Sequence, residues 1–309
     1  MMPLLGSLSI ERMCQLAQVS RAGFYRSLQG GAPPQEDMEV RSAIQRIAVE
    51  HRRRYGYRRI TAELRRRGML VNHKRVSRIM REDNLLAVQP RAFVMTTDTA
   101  HDLEVFLNLA SRLTVTGINQ LWLADITYIR LQREFVYLAV ILDAFSRKVV
   151  GWALDRSLAS RLAVSPLEQA IARRQPPAGL VHHSDRGVQY ASGDYVKLLR
   201  RHGMIPSMSR PANPYDNASC ERFMKTLKRE EIYANDYRTL EHLAANIETF
   251  IDQYYNRCRL HSALGYRPPA EFESQSASGN VSGNLGGATV KFFNNHQDSG
   301  SRHPGDTPR

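Results

Sequence analysis

Cysteine is scarce in this 309-residue sequence. Cys14, Cys220 and Cys258 are odd in number, far apart, and form neither a CxxC pair nor a Cys/His set with zinc spacing. That excludes a disulfide framework and a zinc-finger reading, and predicts separate reduced thiols. Long apolar runs are also missing: no stretch of about 18 apolar residues is available to cross a bilayer, so a membrane is not an expected partner. The opening residues, "MMPLLGSLSIERMCQL", lack a basic segment followed by a clean apolar stretch and a small-residue cleavage site, and the expected location is the cytoplasm. Acidic residues are too few to balance the basic ones. The 30 Asp and Glu face 43 Lys and Arg, a net charge of +13, which points to a polyanionic partner and most simply to nucleic acid.

The excess charge is concentrated. Between His51 and Arg91 there are 13 Lys/Arg against Glu63, Glu82 and Asp83. The segments around it have helical periodicity. "LSIERMCQLAQVSRAGFYRS", with apolar Ile10, Met13, Leu16 and Ala17 and Ser20 as an N-cap, has the rhythm of a helix-turn-helix in residues 1–30. An ordinary helical hairpin reads equally well from the same pattern. "QGGAPPQE" then reads as a linker. Residues 37–91 carry three amphipathic segments, the third with Lys74, Arg75, Arg78 and Arg81 along one side and few acidic partners at i,i+4. These four residues are expected to contact DNA rather than simply to face solvent. Residues 92–118 lack periodicity and read as a connector.

The texture changes at Asn119. "LWLADITYIR", "EFVYLAVILD" and "KVVGWALD" are β-rich runs, followed by helical and short apolar segments in alternation. Such an order predicts a mixed sheet in an α/β domain. Residues 274–309, rich in Gly, Ser and Asn, are expected to be a disordered tail.

Within the first strand stands Asp125, a residue that strands disfavour and that needs water or a cation. Asp185 ends the short run "LVHHSD", and Glu221 lies on a helix with 35 residues between the two. Asp143 in "ILDAFSRK" is expected to shape a turn with Ser146 and Arg147. Asp216 is expected to cap the following helix. Glu230 and Glu231 are alternatives to Glu221 by residue type alone. His182 and His183 have no Cys or His partner nearby in sequence and read as structural.

The spacing of the three acids resembles the D, D(35)E signature of integrases and transposases. "WLADITYI", "HHSDRGVQY", "NPYDNASCERFMKTLKRE" and "YNRCRLHSALGYRPPAEF" occur in that order. Together they resemble the second-frame product (OrfB) of insertion-sequence transposases of the insertion-sequence-three family, in the DDE integrase-core superfamily. The resemblance covers about residues 40–273. It implies a ribonuclease H-like integrase core at residues 119–273, a mixed five-stranded sheet flanked by helices, preceded by small all-helical DNA-binding units. It implies a DNA transposase that cleaves element ends and transfers strands, leading to DNA integration.

Asp125, Asp185 and Glu221 would be the catalytic acids, holding Mg²⁺ with Mn²⁺ as a substitute, since hard divalent cations prefer oxygen donors. The pattern places a basic residue seven positions after the glutamate, here Lys228, with Lys225 one turn closer. Both are candidates for DNA contact. The implied partners are the element's terminal repeats and target DNA, a second copy of the chain on that DNA, and an upstream-frame helix-turn-helix product. The implied location is the bacterial nucleoid. Three other readings compete. A retroviral-type integrase would bring an N-terminal zinc unit, and Cys14 is the only cysteine before Cys220. A catalytically silent, transposase-derived DNA-binding regulator would not need all three acids. A structure-selective nuclease would need neither the N-terminal helices nor the C-terminal motif.

If residues 51–91 grip the phosphate backbone, DNA affinity should fall steeply with salt, and Lys74→Ala, Arg75→Ala and Arg78→Ala together should flatten the plot of log K against log salt by about two to three ions. Titration of end DNA at several salt concentrations measures this. An unchanged slope would make the basic block a bystander.

Overall fold

A computed structural model describes residues 9–16, 18–28, 35–85, 106–132, 134–209 and 217–277. The chain divides into two compact units, Met1–Val88 and Gln89–Arg309. No described helix is long and apolar enough to cross a membrane.

In the first unit, α1 (Ile10–Leu16) and α2 (Arg21–Leu28) form a helical hairpin. Ser20 caps α2 as expected: its Oγ accepts the Gly23 N–H at 3.0 Å. The expected apolar stripe of α1 is corrected, because Ile10 and Leu16 are exposed and Cys14 is the buried residue. Ala17 lies outside the described residues. Next come α3 (Gln35–Glu50), α4 (Tyr57–Arg66) and α5 (His73–Glu82). Each buries one apolar face: Val40, Ala43, Ile44 and Ile47 of α3, Ile60 and Leu64 of α4, and Val76, Ile79 and Met80 of α5. The spacing within each set is three or four residues, that of a helix stripe. Asn72 caps α5 by accepting the Lys74 N–H at 2.9 Å.

Basic side chains in this unit pair with Glu50, Glu63, Glu82 and Asp83. Arg67 reaches both Glu50 and Glu63, and Arg41 reaches Glu82 and Asp83. Arg78 also has an i,i+4 partner, Glu82, at 3.3 Å, so its expected lack of an acidic neighbour is corrected.

The second unit is built on one five-stranded sheet in the order β3-β2-β1-β4-β5. β1 (Leu121–Arg130), β2 (Phe135–Asp143) and β3 (Val149–Asp155) run antiparallel in succession; β4 (Val181–Ser184) and β5 (Ile205–Met208) join parallel on the other side of β1. The strands alternate as the sequence does. Leu121, Leu123 and Ile129 of β1 face one apolar cluster, and Trp122 and Ala124 face the other.

The second cluster is covered by α6 (Arg161–Arg174) and α7 (Gly193–Arg201), and the first by α8 (Ala218–Leu227) and α9 (Leu240–Glu248). Both α8 and α9 continue as π-helical turns, Lys228–Ile232 and Thr249–Tyr255. The result is the mixed sheet flanked by helices that the resemblance implies.

Two boundaries move. The expected connector is part of the second unit's core from Phe106 on: Ala110 and Val115 are buried, and the Leu109 N–H donates to Ser207 Oγ at 2.9 Å. At the other end α10 (Pro269–Ala277) extends past residue 274. Glu273 anchors it by accepting from Arg174, Lys148 and Ser146 at 2.7 to 2.9 Å. Burial pushes the Glu273 carboxyl up, but those three donors outweigh it and hold it below its ordinary range. The rest of the expected tail, residues 278–309, lies outside the described residues.

The motif "YNRC" works as a buckle. Asn256 both accepts from the Val149 N–H and donates to the Val149 carbonyl, each at 3.0 Å. Its side chain thus stands in for a strand partner at the start of β3.

Gly151 of β3 lies against α6, where an added Cβ would fall 2.1 Å from the Pro166 carbonyl oxygen. Backbone cannot swing aside as a side-chain end can, so Gly151→Ala is expected to lower Tm by about 5 °C or more. Thermal melting by circular dichroism measures it, and a wild-type Tm would show that α6 shifts without penalty.

Candidate active site

Leu121 and Leu123 of β1 point towards α8 and α9, and Asp125 is the next residue in that alternating series. It does not sit in the dry middle of the sheet. β4 pairs with β1 only at three positions, Leu121↔Val181, Trp122↔His182 and Leu123↔His183. Among the described residues no strand pairs with β1 on that side from Ala124 onward, and Asp125 lies half-buried there.

Asp185 follows directly on β4, the strand beside β1. Its Oδ1 accepts the Gly187 N–H at 2.9 Å, and Arg186 Nε donates to the Ser209 carbonyl at 2.8 Å, tying the turn to the end of β5. A Cβ at Gly187 would stand 3.1 Å from Asp185 Oδ1, which gives "DRG" a local physical reason.

Glu221 lies in the first turn of α8, and three contacts hold that end of the helix. Asn217 Nδ2 donates to the Ala124 carbonyl at 2.9 Å, Cys220 Sγ to the Leu123 carbonyl at 3.8 Å, and Arg147 Nη1 to Ser219 Oγ at 2.9 Å. Two of these acceptors are the backbone of the residues just before Asp125. Nothing local in the sequence marks Asn217 or Cys220 for this role. An Asn before a helix reads as a cap, and nothing local says that its side chain crosses to a strand 93 residues away.

Asp125 feels the other two acids. Burial pushes the Asp125 carboxyl up to about 8, helped by the charges of Asp185 and Glu221; the Ile126 N–H and Lys228 pull it down. The Cys220 thiol is raised by burial first and then by the same three carboxylates. They do not converge on one point: among the described residues no three His, Cys, Asp or Glu side chains cluster as ligands of a single ion. Half-buried oxygen donors nevertheless suit a hard divalent cation.

Lys228 and Lys225 part company. Lys225 is exposed and pairs with Glu221 at 3.7 Å. Lys228 Nζ lies 5.0 Å from the centre of the Tyr128 ring and feels the charge of Asp125; burial is the main reason its ammonium is shifted below the ordinary lysine range.

The competing acids are otherwise engaged. Asp143 accepts from the backbone of Asn119, Phe145 and Ser146, making the expected turn. Glu230 forms a buried two-point pair with Arg259 at 2.7 and 2.8 Å, and Glu231 accepts from Tyr237 and Asn235. His183 bonds Ser207 and Ser209, and His182 bonds Tyr195; burial drives the His182 imidazole down to about 3. Asp216 lies outside the described residues.

Family models described as "Integrase core domain" match residues 116–214 and 202–269, and one described as "HTH-like domain" matches residues 35–93. Transposase InsF for insertion sequence IS3A of Escherichia coli (strain K12) is 36% identical over 273 residues, 87% of this chain and 95% of that protein. The chain belongs to the insertion-sequence-three family of transposases.

The Insertion element IS600 uncharacterized 31 kDa protein of Shigella sonnei is 37% identical over 267 residues, 85% of this chain and 98% of that one. The HTLV-2 integrase catalytic core domain, solved in complex with magnesium, aligns at 17% identity and a TM-score of 0.40 over 51% of this chain and 97% of its own. The HTH-like match falls on the α3–α5 block and leaves α1 and α2 outside it. In this transposase-family chain the sheet carries the ribonuclease H-like integrase core that the resemblance implies.

A carboxyl raised from about 3.9 in the unfolded chain to about 8 in the fold makes the native state bind the extra proton between those pH values. Without divalent cations, stability should therefore fall as pH rises from about 4 to 8. Asp125→Asn removes that loss. Its Tm in EDTA should exceed that of the unaltered protein by about 3 °C or more at pH 8 and by much less at pH 5. An equal difference at both pH values would show that the carboxyl is not raised.

Proposed function

We propose that the chain cleaves DNA at the ends of its insertion sequence and transfers the freed strands, with Asp125, Asp185 and Glu221 as the acids that hold Mg²⁺. The observation that carries this assignment is that Asp125, where β1 runs past its pairing with β4, feels the charges of both Asp185 and Glu221, next to a helix end pinned to the same strand. Magnesium bound there supplies Lewis-acid activation of the attacking and leaving oxygens of a phosphodiester, and Mn²⁺ is an expected substitute.

The chain's own residues do the rest. Lys228, beside Asp125, holds a phosphate of the strand being cut, and Lys225 steers the backbone from its exposed position. In the first unit Lys74, Arg75, Arg78 and Arg81 of α5 bind the duplex by charge. Hydrolysis and strand transfer use the same carboxylates, because they differ only in whether water or a 3′-hydroxyl attacks. The working form is a homo-oligomer bridging element ends and target DNA, with an upstream-frame product as a further partner and the bacterial nucleoid as its location. The domain limits proposed are residues 37–91 for DNA binding and 106–277 for catalysis.

Asp125→Asn, Asp185→Asn and Glu221→Gln are each expected to abolish cleavage and strand transfer while leaving DNA affinity within about twofold, because the amide keeps the shape and loses the charge. Lys228→Ala should slow strand transfer and blur the cut position, with affinity lowered by no more than ~1 to 3 kcal/mol. Lys225→Ala should do less. A strand-transfer assay on labelled end DNA in Mg²⁺ measures all five; full activity in any acid variant would remove that residue from the site.

A further inference from the structure

The far half of β1 carries aromatic side chains next to cations. Phe135, at the start of β2 and paired with Arg130, is 47% exposed, and Tyr233, just after the π turn, is 54% exposed. One exposed ring is ordinary. Here the rings gather. Tyr128 and Phe135 lie 5.8 Å apart, edge to face. The Arg130 guanidinium stands 5.3 Å from the Phe135 ring centre and Lys228 Nζ 5.0 Å from that of Tyr128. Burial raises the Tyr233 hydroxyl above its ordinary range, with a smaller contribution from the Tyr128 hydroxyl. The adjacent acids are engaged: Glu134 pairs with Arg156 at 2.9 Å, and Asp236 accepts from Gln132 at 3.3 Å.

The patch lies on the other face of β1 from Asp125, and Lys228 links the two. Tyr128 follows Trp122, Ala124 and Ile126 in the even-numbered series of β1, whereas α8 lies over the odd-numbered face. Lys228, from the end of α8, meets the Tyr128 ring beyond the last β1–β4 pair, Leu123↔His183. The same lysine feels the charge of Asp125. Rings interleaved with cations are the arrangement on which unpaired bases stack, with little regard to base identity.

We propose that Tyr128, Phe135 and Tyr233, flanked by Arg130 and Lys228, form a stacking platform for an unpaired base of the DNA strand beside the scissile phosphate. This rests on the DNA-cleaving reading of the same site. The platform holds the terminal bases out of the duplex, so that the backbone between them can reach the carboxylates. It is tolerant of sequence, which assigns recognition of the element's end to other residues.

The test uses the full chain. End DNA carrying 5-iodouracil beside the scissile phosphate is bound to the Asp125→Asn protein and irradiated; the crosslinks are mapped by mass spectrometry. They are expected at Tyr128, Phe135 or Tyr233, and not when 5-iodouracil lies well inside the duplex. In the otherwise unaltered protein, Phe135→Leu with Tyr233→Leu, which keeps apolar bulk and loses the rings, should slow cleavage about tenfold. Phe135→Tyr with Tyr233→Phe should restore it.

Crosslinks confined to other residues, or a Leu pair that cuts at the original rate, would overturn the platform while leaving the transposase reading intact. Crosslinks at the platform, with no cleavage of end DNA by the unaltered protein in Mg²⁺, would do the reverse. A Leu pair that cuts normally but shifts from dimer to monomer in sedimentation would make the patch a protein–protein surface and overturn the proposal.

Discussion

Like charges held close together repel, and the proposed site depends on a scaffold rigid enough to hold them. The electrostatic coupling of Asp125 to Asp185 and Glu221 is unfavourable by itself and adds to burial in making Asp125 retain its proton to about pH 8. The fold offsets this with contacts made elsewhere. β1 and β4 lie side by side through parallel pairing at Leu121 to Leu123, and the start of α8 hangs from the carbonyls of Leu123 and Ala124. Apolar packing on both faces of β1 keeps those backbone acceptors in place. A carboxylate in a strand is thus a local conflict tolerated by a consistent surrounding structure, as functional positions often are.

Burial separates these acids of the second unit into two classes. Asp143, Glu230, Glu231 and Glu273 are buried and satisfied by specific donors. Removing a partner from such a residue would leave an uncompensated buried charge, so these carboxylates belong to the architecture. Asp125, Asp185 and Glu221 are only half-buried. The same division applies to the histidines: His182 and His183 are tied into hydroxyl networks within the sheet.

The C-terminal motif that contributed to the family resemblance has a structural explanation in this chain. Asn256 completes the backbone bonding of Val149, Arg259 neutralises Glu230, and the helix that follows brings Glu273 to Arg174, Lys148 and Ser146. Arg259 and Glu230 are 29 residues apart in sequence, and Ser146 and Glu273 are 127 apart. Such long-range contacts tie the last helices to the sheet without entering the candidate site.

By itself the sequence determined the elements whose signals are local. Alternation marked β1 to β3, helical periodicity marked α3 to α5, Ser20 announced its cap, and Asp143 its turn. The order and spacing of Asp125, Asp185 and Glu221 pointed to the family before any contact was visible. The tertiary structure decided what depends on distant neighbours. It placed Leu16 in solvent and Cys14 in the interior, drew residues 106–118 into the core, extended α10 past residue 274, and gave Arg78 an acidic partner. It also separated Lys228, beside Tyr128 and Asp125, from Lys225, which pairs with Glu221. Periodicity along a chain records which face of an element is apolar, but the partner of that face, and the field at a carboxylate, arise only when segments far apart in sequence are packed together.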